Sequence, residues 1–140
     1  AEKAILERAA TAIVAADRDA GAVEACAANA ERAGVAGDLS VLRAALTNTL
    51  FDSDVTDLPP GLVLTNPPYG VRVGESSRLR DLYASLGNAM RGPLASWSLG
   101  FVTSDPALAS ATGLALDTVL DTSTGGLRIR LYCGRTRGAG

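Results

Sequence analysis

Residues 66–69 form a short, stiff turn whose groups are suited to binding a planar ligand. The run Asn66-Pro67-Pro68-Tyr69 directly follows an apolar segment that is typical of a buried strand. Asn66 offers a side-chain carbonyl and an amino group, and Pro67 keeps a backbone carbonyl without an N–H of its own. The prolines stiffen the backbone, so these oxygens hold their positions before a ligand arrives. Tyr69 adds an aromatic face on which a flat base can stack, worth about 1–3 kcal/mol in single-stranded nucleic-acid complexes.

Two oxygens that converge on one point suit an exocyclic amino group. They can hold the group by its N–H donors and aim the nitrogen lone pair at an electrophile, and such an alkyl transfer depends more on positioning than on a titrating base. The chain has no histidine, the commonest general base, and this chemistry does not require one. The alternative is a proline-stiffened exit from a strand, with Tyr69 as an exposed aromatic residue.

A second candidate position lies at the end of another apolar run. Asp17 ends the run 11–17 and precedes a predicted helix. A carboxylate at a strand end accepts hydrogen bonds from both hydroxyls of a ribose, because it is an acceptor held at a fixed position. Arg18 would then lie beside the nucleobase, and Asp19 would cap the helix. The alternative is that both acidic residues only form the turn and the cap.

Composition limits the classes of function. The chain has 140 residues, a net charge of −2 and 47% hydrophobic residues, which indicates one globular domain or a piece of one, without a broad basic surface for nucleic acid. Arg128 and Arg130 alternate with apolar residues, and we interpret them as the solvated face of a strand.

Cysteine spacing and hydropathy give no sign of a metal, a membrane or secretion. Cys26 and Cys133 match no metal-ligand spacing, and a pair of buried reduced thiols is favoured over a disulfide. No apolar run approaches the ~20 residues of a membrane helix, and no signal segment is found. We therefore expect a soluble, cytoplasmic protein without a metal site.

Strands and helices alternate along the chain and are followed by a hairpin. This order favours a mostly parallel three-layer α/β sheet with an antiparallel end. Ligands of such sheets bind at the carboxyl ends of the strands, where both candidate positions fall. The predicted strands cover residues 11–17, 39–46, 61–65 and 97–103, and a hairpin turns at residues 124–126. The predicted helices cover residues 2–10, 20–33, about 77–91 and 105–112, and residues 47–60 form a loop. Gly34 is the predicted stop of the second helix, and Asp105 is the predicted cap of the fourth. The third helix carries an apolar stripe with a spacing of 3.6 residues, formed by Leu79, Leu82, Tyr83, Leu86 and Met90.

Several segments resemble S-adenosylmethionine-dependent amino-methyltransferases. NPPY after an apolar strand resembles their motif IV, and AADRDAGAVEACAANAERAGV is similar to their acidic motif II and the helix after it. Together with TNPPYG, LRDLYASLGNAMR, WSLGFVTSD and GGLRIRLYCGR, these segments most resemble the THUMP-associated and bacterial 23S ribosomal RNA guanine-N2 methyltransferase catalytic domains. The resemblance implies a Rossmann-like class I methyltransferase fold, with residues 1–140 as a single partial catalytic domain truncated at its N-terminus.

The same resemblance implies a function and a set of site residues. The parent protein would transfer a methyl group from S-adenosylmethionine to an exocyclic amino nitrogen of an RNA base, in particular guanine N2 of ribosomal RNA. The base would be flipped out of the RNA to reach the site. The implied catalytic residues are Asn66, Pro67, Pro68 and Tyr69, the cofactor-binding residues are Asp17, Arg18 and Asn66, and the substrate-binding residues are Tyr69 and, through a phosphate, Arg72.

The chain departs from the family pattern at motif I, the Gly-rich loop that wraps the methionine part of the cofactor. Neither that loop nor the RNA-binding THUMP domain is found in these residues, so both would precede Ala1 in the parent protein or have been lost. Without the motif I strand, two central sheet edges would pair with each other or with another chain, which allows an oligomer. We therefore expect the 140 residues alone to bind S-adenosylmethionine weakly or not at all, and to be inactive.

Two other functions share parts of this pattern. An N6-adenine DNA methyltransferase also carries NPPY, and only the C-terminal tail and the helix after the motif favour the RNA enzyme. A non-catalytic module that keeps the methyltransferase fold is the second alternative, supported by the missing motif I.

Overall fold

The structure, a computed structural model, describes residues 6–70 and 75–136. The chain divides into two compact units, Ala1–Leu58 and Pro59–Gly140, and each is described by itself. The expectation that residues 1–140 form a single domain stays a prediction.

From residue 6 onward, the first unit contains two parallel strands, three α-helices and a short 3-10 helix, Ala36–Asp38. The strands pair in register from Ile13 opposite Leu39 to Asp17 opposite Arg43. The elements of this unit are β1 (Ile13–Asp17), α1 (Ala20–Ala33), β2 (Leu39–Arg43), α2 (Leu46–Phe51) and α3 (Ser53–Thr56).

Both ends of α1 follow from the sequence. The side chain of Asp19 accepts a hydrogen bond from the backbone N–H of Ala22 at 2.8 Å, which satisfies a donor that the first turn leaves unpaired. Gly34 ends the helix in the left-handed conformation, with φ of 74°, where a side chain would be strained. The predicted cap and stop are confirmed.

Three sequence predictions for the first unit need correction. Residues 6–10 contain no helix, and the rest of the predicted helix lies outside the described residues. The strand predicted over residues 39–46 ends at Arg43. The segment predicted as a loop forms α2 and α3, because its apolar side chains Leu50 and Val55 are buried and the Asp52 carboxylate caps α3.

The described residues of the second unit form a four-stranded sheet with two helices. Its strand order is β3-β4-β6-β5, with β3 parallel to β4 and the last two strands antiparallel to their neighbours. Gly125 and Gly126 both have positive φ, which the two-residue hairpin turn requires. The elements are β3 (Leu62–Thr65), α4 (Ser76–Arg91), β4 (Ser98–Thr103), α5 (Pro106–Ala111), β5 (Leu116–Thr124) and β6 (Leu127–Arg135).

An aromatic cluster fills the core between this sheet and α4. Tyr83 on α4 contacts Phe101 on β4 edge to face, with ring centroids 5.8 Å apart. Phe101 also stacks on Tyr132 of β6 at 5.6 Å. Neither Tyr83 nor Phe101 has any solvent exposure, and α4 also buries Leu86 and Met90 along the predicted stripe.

The opposite face of the sheet carries apolar side chains that are exposed among the described residues. Leu62 and Leu64 alternate on one side of β3 and are 60% and 69% exposed. Leu127, on the same face of the hairpin by strand register, is also exposed. The predicted wet and buried faces of β6 are therefore partly reversed, because Arg128 and Arg130 share their face with the buried Tyr132.

Cysteine burial and helix hydropathy bear on the remaining sequence predictions. Cys26 and Cys133 are free, and each is half-buried rather than buried as predicted. Within residues 6–70 and 75–136, no helix combines the length and the apolar character needed to cross a membrane.

Candidate functional site

The NPPY turn lies at the carboxyl end of β3, where the sequence placed it. Asn66 and Pro68 are exposed, Pro67 is buried and Tyr69 is half-buried. Gly70 follows with φ of +74°, a conformation that other residues rarely adopt, so the chain needs glycine there to leave the turn. The amide of Asn66 is therefore available to a ligand, while the ring beside it is anchored in the protein.

A buried tyrosine holds this turn in place. The Tyr83 hydroxyl donates a hydrogen bond to the carbonyl of Pro68 at 3.2 Å. Burial raises the pKa of Tyr83, a hydrogen bond with Thr103 opposes this, and electrostatic interactions with Tyr69 and the Asp105 carboxylate raise the pKa further. The hydroxyl therefore keeps its proton at neutral pH and remains a donor. From the sequence, Tyr83 is only one member of the apolar stripe of α4, although it is the member with a hydroxyl group.

The carboxyl end of β4 places further polar groups beside that tyrosine. Thr103 is buried, and its hydroxyl accepts a hydrogen bond from the backbone N–H of Asp105 at 3.2 Å. The Asp105 carboxylate accepts from the N–H of Ala107 at 2.9 Å and caps α5, as predicted. Sequence reasoning missed Thr103, because a threonine that ends a strand carries no signal of its tertiary partner.

Asp17 lies in an exposed turn at the carboxyl end of β1. Its Oδ1 accepts a hydrogen bond from the backbone N–H of Asp19 at 2.8 Å, which forms the turn that the structural alternative predicted. Among the hydrogen bonds of the described residues, none uses Oδ2 of Asp17. A carboxylate accepts about four hydrogen bonds, so the turn leaves acceptor capacity for a ligand. The structural role and the ribose-binding role are compatible.

Arg18 is exposed and takes part in this turn through its backbone. Its carbonyl accepts a hydrogen bond from Nε of Arg43 at 3.3 Å. The carbonyl of Asp17 accepts from the N–H of Ala44 at 3.0 Å. The end of β1 is thus connected to the end of β2, and Arg43 is a positioning residue that the sequence did not indicate.

The structure brings the predicted residues together in two sets. Asp17 and Arg18 belong to the first unit, and residues 66–69 belong to the second. Arg72 lies outside the described residues. In the part of the chain that the structure describes, no group of three or more His, Cys, Asp or Glu side chains could hold a metal ion.

These groups support binding and positioning. The turn at the end of β3 presents an amide and an aromatic ring on a braced backbone, and the turn at the end of β1 presents a carboxylate. Both turns follow parallel strands, whose carboxyl ends form the ligand sites of α/β sheets.

Residues 1–127 match the UPF0020 family, the RMKL-like methyltransferase domain. Ribosomal RNA large subunit methyltransferase K/L of Syntrophotalea carbinolica is 37% identical over 115 residues, which cover 82% of this chain. The protein of the same name from Legionella pneumophila strain Lens is 38% identical over 122 residues, or 86% of this chain. The matched segment is only 16% of the length of each of these relatives.

Solved structures support the same fold. A crystal structure of SMU.472, described as a candidate methyltransferase and complexed with SAH, has a TM-score of 0.77 and 26% identity, over 91% of this chain and 32% of that one. A possible methylase from Clostridium difficile 630 also has a TM-score of 0.77, with 27% identity over 92% of this chain and 33% of that one.

The predicted Rossmann-like class I methyltransferase fold is therefore confirmed, and S-adenosylmethionine is confirmed as the cofactor of the family. The match extends over most of the chain and includes both candidate turns. The chain belongs to the RMKL-like methyltransferase domain family.

Proposed function

We propose that this chain is part of a cytoplasmic ribosomal RNA methyltransferase. In this proposal it binds the exocyclic amino group, N2, of the target base guanine. The observation that carries the proposal is the NPPY turn, exposed at Asn66 and braced from below by the hydroxyl of Tyr83. A grip that is ordered before its ligand binds is what a transfer governed by positioning needs.

The relatives support the choice of substrate. Two proteins of 37% and 38% identity are named ribosomal RNA large subunit methyltransferases. Their names do not specify the base, and the choice of guanine N2 rests on the resemblance of the tail and of the helix after NPPY.

Each predicted residue has a role in this proposal. The side-chain oxygen of Asn66 and the carbonyl of Pro67 accept the N–H donors of the amino group, and Tyr69 stacks on the base. Pro68 acts through its carbonyl, which the Tyr83 hydroxyl already engages, so it positions the turn rather than the ligand. Arg72 contacts a phosphate.

The residues at the end of β1, above all the acceptor Asp17, fit the cofactor. Asp17 is exposed, and Oδ2 has no hydrogen bond among the described residues, so the carboxylate can accept from the ribose hydroxyls. Arg18 lies beside it and contacts the nucleobase. S-adenosylmethionine, when bound, supplies an activated methyl group, and the residues of this chain orient the amine toward it.

The proposal is tested with Asn66→Ala in the protein expressed from its complete gene. We expect the rate of methyl transfer to ribosomal RNA to fall by roughly 100-fold, because a misplaced nucleophile loses the benefit of orientation. The affinity for S-adenosylmethionine is expected to stay within about threefold, since Asp17 is unchanged. Asn29→Ala is the matched control, because Asn29 is exposed on α1 and bonds only to Arg32 among the described residues.

Digestion of the product RNA to nucleosides then locates the methyl group. A methyl group on guanine N2 supports the proposal, whereas one on adenine N6 supports the alternative enzyme. An Asn66→Ala variant that transfers methyl groups as fast as the wild type contradicts the assignment of Asn66. No transfer to any nucleic acid by the wild type favours the non-catalytic module.

We also propose that these 140 residues alone bind S-adenosylmethionine weakly and are inactive. The sequence contains no Gly-rich loop before β1 to wrap the methionine part of the cofactor. Calorimetric titration of the 140-residue chain should therefore give no micromolar affinity, and a micromolar dissociation constant would contradict this.

A further inference from the structure

A small hollow lies at the carboxyl end of β4, in the same unit as the NPPY turn. Ser104, Pro106, Arg128 and Arg130 line it, and its volume is about 110 Å³. Ser104 directly follows β4, and the arginines project from β6. The hollow is large enough for a small polyatomic anion.

One carboxylate orients both arginines. Asp121 on β5 accepts hydrogen bonds from Nε and Nη2 of Arg128 at 2.8 and 2.7 Å and from Nε of Arg130 at 3.2 Å. Two cations and one anion leave this cluster with a charge of +1. Because a guanidinium carries five N–H donors, both arginines keep donors that Asp121 does not engage. The side chain of Arg128 is also 71% exposed, so a ligand can reach it.

Strand register places the hollow close to the NPPY turn. Thr65, just before Asn66, pairs with Phe101 on β4, and Thr103 on β4 pairs with Arg130 on β6. Asn66 and Arg130 are therefore two strand spacings apart, about 10 Å, at the same edge of the sheet. Arg128 and Arg130 also share the face of Phe101 and Tyr132, which carries the helices. Arg128 is exposed, as the prediction of a solvated strand face requires, whereas Arg130 is half-buried.

We propose that Arg128, Arg130 and Ser104 bind a backbone phosphate of the RNA strand that presents the target base. This site rests on the proposed function. S-adenosylmethionine carries no phosphate, so a site at this edge that is specific for phosphate serves the nucleic acid.

The chemistry of the hollow matches a phosphodiester. Guanidinium groups bind phosphate oxygens through paired N–H donors, and a hydroxyl provides one more. The cluster charge of +1 balances the single negative charge of one linkage. The chain as a whole carries −2, so a general basic surface does not provide this attraction. Phosphate contacts fix the register of the strand, which would place the base over Tyr69.

The test compares Arg128→Gln/Arg130→Gln with Arg135→Gln in the protein expressed from its complete gene. Arg135 is exposed and lies on the same strand, opposite Ser98 at the other end of β4. A fragment of large-subunit ribosomal RNA is the probe. We expect the double variant to bind it roughly tenfold more weakly and to lose about 0.7 from the slope of log affinity against log salt, the value for one single-strand phosphate. Its KM for RNA should rise with kcat and S-adenosylmethionine affinity unchanged, and Arg135→Gln should match the wild type.

Two further arms keep the result decisive if the double variant folds poorly. Arg128→Lys/Arg130→Lys retains the charge, so the salt slope should survive while affinity falls through loss of the paired donors. Wild-type protein should lose the same 0.7 of slope on RNA with uncharged methylphosphonate linkages beside the target base.

Equal salt slopes for the wild type and the Gln variant would overturn the phosphate site, as would a wild type indifferent to the methylphosphonate linkages. In both cases methyl transfer by the wild type would leave the proposed function standing. A wild type that neither binds nor methylates RNA would instead overturn the proposed function, and this site with it.

Discussion

The two strand ends that carry the predicted site differ in how they are supported. The carboxylate of Asp17, at the end of β1, is exposed, and it accepts a hydrogen bond from the backbone N–H of Asp19, two residues away. The NPPY turn at the end of β3 is held from below by Tyr83, which comes 15 residues after Pro68 and is completely buried. The NPPY turn is thus held by tertiary packing, whereas the carboxylate of Asp17 is oriented by local turn chemistry.

The cores of the two units explain this difference. In the first unit, Ala30, Leu50 and Val55 are the buried apolar side chains among the described residues. The second unit buries large side chains that pack on one another, including Tyr83, Phe101 and Met90. Packed cores resist distortion, so the turn over the second core is the better ordered before a ligand binds. Rigidity is therefore concentrated at the turn that we propose to orient the target amine.

The difference in packing between the two cores is tested most severely at Gly87, inside α4. A Cβ at this position would lie 1.8 Å from the carbonyl oxygen of Thr112 and 2.7 Å from its carbonyl carbon. Backbone atoms cannot rotate away, so we expect Gly87→Ala to lower the free energy of unfolding by about 3 kcal/mol. Urea unfolding followed by the fluorescence of Trp97, the single tryptophan, reports this loss in the second unit.

Gly37→Ala is the matched control in the first unit. No atom lies within 4 Å of a Cβ at Gly37, and its φ is not in the left-handed region. The change should alter stability by no more than about 1 kcal/mol, in the stabilising direction if at all. Circular dichroism measures the unfolding of both variants. An equal loss in the free energy of unfolding would show that the second core does not have the tight packing described above.

Asp17→Asn examines the locally held strand end. Asparagine also forms the turn with the N–H of Asp19, so the fold should be kept. Loss of the charge weakens the hydrogen bonds to the ribose hydroxyls, and we expect affinity for S-adenosylmethionine to fall roughly tenfold, about 1.4 kcal/mol. Calorimetry on the protein expressed from its complete gene measures this.

Asp19→Asn makes the same charge change two residues later. Asparagine caps helices as well as aspartate does, so stability and cofactor affinity should both match the wild type. If the two variants lose affinity equally, the effect is one of general charge, and the ribose role of Asp17 is wrong.

Much of the fold could be predicted because its signals are local. The cap at Asp19, the stop at Gly34 and the stripe of α4 depend on residues a few positions apart, and all three are confirmed. Helices α2 and α3 were missed because Leu50 and Val55 are too few to show a helical period. Their helices form because these side chains are buried.

The site divides in the same way. The positions of Asp17 and Asn66 at strand ends follow from apolar runs that end in polar residues. Tyr83 and the arginine cluster could not be found, because their partners Pro68 and Asp121 are chosen by tertiary packing and strand pairing. A sequence pattern also shows that a strand has two faces without showing which one is covered, and this is why the faces of β6 were partly reversed.

Tyr83→Phe examines the tertiary brace with a smaller change. The ring keeps its packing against Phe101, while the carbonyl of Pro68 loses its donor. We expect a loss of about 1 kcal/mol in the free energy of unfolding, as for one hydrogen bond. The methyl-transfer rate should fall while cofactor affinity is unchanged, because the turn loosens and Asp17 is unaffected.

The opposite effect on rate and cofactor affinity would contradict the role of Tyr83 in holding the NPPY turn. If Tyr83→Phe weakened cofactor binding and left the rate unchanged, Tyr83 would not act through the NPPY turn. Tyr132→Phe is a suitable control for stability, since Tyr132 is also buried against Phe101 and its hydroxyl interacts with Arg130 instead of the turn.

The smallest effect concerns Asp121, an exposed group like Asp17 but with charged partners. Hydrogen bonds from Arg128, followed by those from Arg130 and the charges of both, lower the pKa of Asp121 from 3.8 to about 2. A lowered carboxyl pKa means that the pairing is intact above about 3.8 and is lost as the pH falls through about 2. NMR titration of the carboxyl carbon should therefore give a midpoint near 2 in the wild type, and Arg128→Gln should move this midpoint toward 3.8. The same variant should show no measurable change in stability at pH 7, because the pair is exposed. Arg135→Gln should leave the midpoint unchanged. A wild-type midpoint near 3.8 would mean that Arg128 and Arg130 do not hold the Asp121 carboxylate in place. The hydrogen bond from the buried Tyr83 to the NPPY turn would then be the better ordered of the two contacts.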